Sequence, residues 1–167
     1  TLRGQAQKVW FYPATGVSLH HKILFAPGDG GHRGFAITIA NQLSAFGYDV
    51  YALDTRHYLA SFKGKTALTP MDVMKDFHTL AEKISNKDGD RITLAGWSTG
   101  AGLAVLGAAA ANKTNYDGVL AISLGKTNIL GWHCIDSLVT WFGKLPHEPT
   151  FQSEEFVPQI APLPVLI

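Results

Sequence analysis

The chain predicts a mainly parallel, doubly wound α/β sheet with helices on both faces. Three observations predict it. Short β-rich segments alternate with helical ones in the order strand, helix, strand, helix, strand, helix, strand. The strand-to-helix turns at 28–34 and 96–100 are rich in glycine. With 167 residues, 46% of them hydrophobic, the chain suffices for one domain with a sizeable core.

The elements follow in order. "QKVWFYP" (7–13) and "HKILFAP" (21–27) read as strands, the second stopped by Pro27. "GFAITIANQLSAFG" (34–47) predicts a helix with Phe35, Ile39, Leu43 and Phe46 on its buried face and Gly47 at its C-cap. "YDVYALD" (48–54) is again a strand, and a loop is expected over 54–68. "TPMDVMKDFHTLAEKIS" (69–85) is the clearest helix, with a stripe of Val73, Met74, Phe77, Leu80, Ala81 and Ile84. Thr69 is placed to cap it, Pro70 suits its first turn, and Asp72 favours its positive end. "RITLAG" (91–96) is a strand, "AGLAVLGAAAAN" (101–112) a helix of small residues, and "YDGVLAISLG" (116–125) a further strand. Residues 126–161 read as irregular around one amphipathic piece at 131–143, and "PLPVLI" opens one more strand.

Several function classes are excluded or left open by composition. A net charge of +1 gives no electrostatic footprint for nucleic acid. The lone Cys134 excludes an internal disulfide framework and a cysteine-rich metal site. It leaves both a cytoplasmic and an exported setting open; the sequence from Thr1 carries no basic-then-apolar leader, and a signal peptide, if one existed, is expected to have been removed already. No apolar run reaches the roughly 18–20 residues of a membrane span. The pair His20-His21 has no ligand-spaced partners, so no metal is expected there.

The chemistry concentrates in two turns. Gly96-Trp97-Ser98-Thr99-Gly100 fits G-x-S-x-G between a strand and a helix. A sharp turn of that kind holds its serine in a strained backbone conformation and needs glycine two residues to either side. Ser98 would then stand at the positive end of the following helix. The bland alternative is a tight turn whose serine only caps the helix.

"APGDGGHRG" (26–34) also follows a strand and opens a helix. In an acyl-transfer enzyme such a loop supplies a backbone N–H to an oxyanion hole; here the donors would be the amides of Asp29 and Thr99. In a dinucleotide-binding enzyme it would cradle a pyrophosphate, with Gly28, Gly30 and Gly34 lining the turn and Asp54 holding a ribose. Arg33 takes the third glycine position of the stricter fingerprint, and Asp29 would set a carboxylate beside the phosphates. A nicotinamide-dependent oxidoreductase with a Rossmann sheet therefore stays open as an alternative.

Together, "PGDGGHRG" and "GWSTGA" resemble the α/β-hydrolase superfamily. The upstream loop is similar to the H-G-x-G-G form of lipases, with Pro27 where the histidine stands. "GDGG" followed by a helix and a serine elbow also resembles the bacterial VirJ-type virulence-protein branch, from whose elbow Trp97 and Thr99 depart. The resemblance implies a serine hydrolase cleaving a carboxylic ester or related acyl bond through an acyl-enzyme, without a cofactor. Its nucleophile would be Ser98, its elbow glycines Gly96 and Gly100, and its oxyanion hole the backbones of Asp29 and Thr99. The superfamily carries its acid and histidine after later strands. Here only His133, His147, Asp117 and Asp136 stand out downstream of Ser98, none at those places, so both partners are expected past Ile167 and the fold is expected to lack its C-terminal strands and helices. A hydrolase-fold binding protein without activity is the third alternative.

His32, Arg33, Arg56, His57, Lys63 and Lys65 crowd the two upper loops. They suggest a small-molecule or lipid ester with an anionic group, with His32, Arg56 and His57 as substrate-binding candidates. Solvated loop charge is the plainer explanation. Residues 126–161 hold the place of a cap segment, in which Trp132, Ile135, Leu138, Val139 and Phe142 would form either a lid face or ordinary core packing.

Overall fold

The computed structural model describes residues 1–85, 91–110, 112–113, 115–132 and 148–167. Strands β1 (Val9–Tyr12), β2 (His21–Ala26), β3 (Tyr48–Leu53), β4 (Ile92–Trp97), β5 (Tyr116–Ile122) and β8 (Val165–Leu166) form a six-stranded sheet in the order β1-β3-β2-β4-β5-β8. Only β1 runs antiparallel; the other pairings are parallel. A separate ribbon pairs β6 (Thr127–Ile129) with β7 (Thr150–Gln152).

Helices cover both faces. Helix α1 (Phe35–Ala45) lies on one, where Ala36 and Ala40 meet Ile23, Phe25, Val50, Ala52 and Ala95. Helices α3 (Pro70–Ile84) and α4 (Thr99–Ala108) lie on the other, where Val73, Phe77, Leu103 and Leu106 join Leu24 and Leu94 in the larger core. Short α5 (Ser153–Phe156) and a following 3₁₀ turn pack on α4.

The stripe expected on α3 is the buried one, with Met74 at its margin. Its N-terminus is a capping box. The Thr69 hydroxyl accepts from the Asp72 amide at 3.2 Å, and Asp72 Oδ2 accepts from the Thr69 amide at 3.0 Å. The hydroxyl bond from Thr69 holds the Asp72 carboxyl below its ordinary range.

Helix α1 is turned from the expected face. Ile39 and Leu43 pack partly buried against the sheet as expected, but Ala36, Ala40 and Ser44 are the fully buried positions, while Phe35 and Phe46 are exposed. Small residues four apart let the helix lie close to the sheet, which turns the bulky phenylalanines outward. The loop expected at 54–68 also contains a helix, α2 (Thr55–Ala60), nucleated by Asp54, whose Oδ1 accepts from the His57 amide at 3.0 Å. The segment 126–161 is more ordered at its ends than expected: β6, β7 and α5 occupy them, with Leu130 and Phe151 buried. Most of the amphipathic piece at 131–143 lies outside the described residues. "PLPVLI" does supply a strand, since Val165 and Leu166 pair with Val119 and Leu120.

Candidate active site

Strand order reverses between β2 and β4, with β3 and β1 to one side of β2 and β4, β5 and β8 to the other. The loop after β2 therefore leads to a helix on one face, and the loop after β4 to a helix on the opposite face. The two diverge and leave a crevice at the carboxyl end of the sheet, where α/β proteins hold their ligands. The register pairs Ala26 with Gly96, which brings Gly28 level with Ser98. A methyl group on Gly28 would stand 3.4 Å from Ser98 Cβ.

Ser98 sits between β4 and α4 with φ 56° and ψ −123°. Its amide extends the β5 ladder by donating to the Ile122 carbonyl at 2.9 Å. The turn is closed by glycine on both sides. A Cβ on Gly96 would collide with the Gly100 carbonyl, and one on Gly100 with the carbonyl oxygens of Ala26 and Pro27. The G-x-S-x-G spacing is thus a packing requirement.

Helix α1 starts from the same kind of backbone: its N-cap, Gly34, has φ 53° and ψ −121°. Where the fold needs only that turn, glycine makes it without strain. A serine held there costs about 1–3 kcal/mol. Its side chain accepts no capping hydrogen bond from α4, so capping the helix does not account for it.

The two amides expected to share an oxyanion have no backbone acceptor among the described residues. Thr99 is the first residue of α4, so its N–H has no partner within the helix. Asp29 lies exposed in the loop after β2.

The upper-loop cations divide by what holds them. The Arg56 guanidinium lies over the Trp132 ring, 3.9 Å from its centroid, and Gly31 packs beside Arg56 and Asp54. His57 Nε2 is 3.0 Å from the Ala6 carbonyl, so that bond occupies the imidazole. His32 stacks on Trp10 and meets the Tyr12 hydroxyl at 2.8 Å. Arg33, Lys63 and Lys65 are exposed. Asp54, the acid the dinucleotide alternative needs, is held as the α2 cap.

A histidine–carboxylate pair does exist, at the wrong end. His21 Nε2 lies 3.1 Å from Asp117 Oδ2 and 3.0 Å from the Thr93 hydroxyl. These residues begin β2 and β5, so a strand length of about 17 Å separates them from Ser98. His133, Asp136 and His147 lie outside the described residues. No group of three or more potential metal ligands is found among the described residues. None of their helices is long and apolar enough to cross a membrane. A cavity of about 740 Å³ opens between α3, the end of α4 and α5, lined by Met71, Met74, His78 and Phe156; Ser98 does not line it. Three contacts of the site gave no signal in the sequence: Trp10 and Tyr12 read only as strand residues, and Phe35 read as core although its ring meets Trp97 at 5.1 Å.

Residues 18–126 match the serine aminopeptidase S33 family, and that span carries both turns. The chain belongs to this family of α/β hydrolases. No curated protein matches the sequence. Among solved structures, the α/β hydrolase GrgF from Penicillium sp. sh18 is similar at TM-score 0.64 and 12% identity, over 95% of this chain and 73% of its own. The monoacylglycerol lipase of Paleococcus ferrophilus aligns at TM-score 0.55 and 18% identity, over 84% of this chain and 52% of its own. DcsB, solved with a substrate analogue, aligns at TM-score 0.54 and 22% identity, over 68% of this chain and 40% of its own. The chain therefore spans about half or less of the length of the last two. At these identities the likeness is one of fold.

The strain at Ser98 has a direct measurement. In urea unfolding, Ser98→Gly should be more stable than Ser98→Ala by about 1 kcal/mol, because only glycine relaxes a positive φ. Equal stabilities would show that the turn is not strained.

Proposed function

We propose that the full-length protein is a serine hydrolase in which Ser98 attacks the carbonyl carbon of a carboxylic ester or related acyl bond. The observation that carries this reading is the serine itself, held where Gly34 makes the same turn without strain. A fold that keeps a strained residue with no structural task for its side chain keeps it for its hydroxyl.

In this reading Ser98 Oγ bonds to the acyl carbon while the hydroxyl proton passes to a general base. The carbonyl oxygen becomes an oxyanion and moves between the Asp29 and Thr99 amides, where the α4 dipole adds favourable potential. The carbonyl re-forms as the bond to the leaving group breaks, and that group departs with a proton. The acyl group stays on Ser98 until water attacks the same carbon and releases the acid. Gly28 and Gly30 allow the substrate to approach the backbone, and Trp97 with Phe35 braces the turn from the α1 side.

A fluorophosphonate probe should label the full-length protein, and Ser98→Ala should abolish labelling while the circular dichroism spectrum stays unchanged. Labelling that persists in the alanine variant removes Ser98 from the role.

The same reading extends to substrate charge. Arg56 is the upper-loop cation fixed over an aromatic ring, and the edge of its guanidinium has no hydrogen-bond partner among the described residues, which suits it to meet a carboxylate or phosphate. For an anionic ester, Arg56→Gln should raise KM by about tenfold, the loss of roughly one charge-assisted hydrogen bond. Rising salt should lower kcat/KM in the wild type, since exposed charge is screened over roughly 8 Å at physiological ionic strength. An equal effect of Arg56→Gln on a neutral ester would contradict the assignment.

A further inference from the structure

An oxyanion donor must be fixed before the charge develops, yet Asp29 lies in a loop with glycine at 28, 30, 31 and 34. Glycine loses more conformational freedom on ordering than any other residue, so such a loop needs an external hold. Asp29 and Arg33 are exposed and supply none, whereas His32 is half-buried.

The His32 ring lies flat against Trp10, with centroids 4.0 Å apart and planes at 16°. Its Nε2 is 2.8 Å from the Tyr12 hydroxyl. Both aromatics stand on β1, which the ladder fixes to β3 through Trp10–Ala52 and Tyr12–Val50. On its other flank the loop meets α2, for a methyl group on Gly31 would come 2.8 Å from Asp54 Oδ1 and 2.9 Å from Arg56 Cβ. His32 Nδ1 is buried without a partner, so the Tyr12 bond is the ring's polar hold among the described residues. Burial also lowers the proton affinity of the ring, against the pull of Asp54. The tautomer carrying the proton on Nε2 suits these surroundings, because it donates to Tyr12 and leaves no buried N–H at Nδ1.

We propose that His32, clamped between Trp10 and Tyr12, is a positioning residue that holds the loop after β2 so that the Asp29 amide faces the carbonyl oxygen of a substrate on Ser98. This rests on the nucleophile assignment above. It places a specificity for oxygen over sulfur at the reacting carbonyl in the hands of His32, Trp10 and Tyr12, which act through the loop backbone. Loss of the clamp leaves substrate binding largely intact and weakens only the contact that forms as the oxyanion appears.

The test compares a p-nitrophenyl ester with its thiono counterpart, whose C=S sulfur accepts hydrogen bonds weakly. His32→Ala and Tyr12→Phe should each lower kcat for the oxygen ester by about tenfold to a hundredfold, the scale of a displacement near 1 Å, with KM changed by less than about twofold. The thiono ester should lose less than about threefold, so the oxygen-to-sulfur preference collapses. His32→Phe, which keeps the stack on Trp10 and loses the hydrogen bond, should fall between wild type and His32→Ala. A general loss of folded protein would reduce both esters equally, and that outcome, or no change in the preference, overturns the proposal. A full-length wild-type protein that forms no acyl-Ser98 with either ester overturns the nucleophile assignment instead, and the proposal with it.

Discussion

The first turn of α4 rests directly on the end of β2, because Gly100 presents no side chain to the carbonyl oxygens of Ala26 and Pro27. That contact fixes two things together. It sets the height at which α4 begins, and with it the conformation forced on Ser98. It also brings the backbone leaving β2 beside that of β4, so that Gly28 lies against Ser98. The crevice, the half-buried Ser98 and the facing loop all depend on two backbones meeting without a Cβ between them. Gly96 repeats the arrangement one step earlier, against the Gly100 carbonyl.

Much of this was legible in the sequence, for identifiable reasons. Helix α3 carries a full periodic stripe and its own cap at Thr69, both local features that need no knowledge of the fold. The serine turn was legible because its glycines meet a steric demand that acts within five residues. The buried face of α1 was not, because small residues approach a sheet more closely than large ones and hydrophobicity alone does not rank Ala36 and Ala40 above Phe35 and Phe46. Helix α2 escaped notice because six residues give less than two turns of periodicity; Asp54 as its cap was the available signal. The partners of His32 were out of reach altogether, since Trp10 and Tyr12 come to it through the β1–β3 ladder, a contact no local pattern encodes.

Family and reaction stand on different footings. The match over residues 18–126 shows the family, and the solved structures show the fold. The proposed reaction rests on local chemistry: a strained serine at a helix start, two amides without backbone acceptors among the described residues, and a cation over Trp132. The serine and the two amides follow the carboxyl ends of β2 and β4, whereas the His21–Asp117 pair lies at the opposite end of the sheet, where it ties β2, β4 and β5 together through Thr93.

The most direct measurement of the central claim is a crystal structure of the protein after reaction with a p-nitrophenyl phosphonate, which leaves a stable tetrahedral group on the attacked atom. Phosphorus should be bonded to Ser98 Oγ, with one phosphonyl oxygen about 2.7–3.1 Å from the amide nitrogens of both Asp29 and Thr99. Phosphorus on another residue, or an oxygen turned away from both amides, would contradict the account.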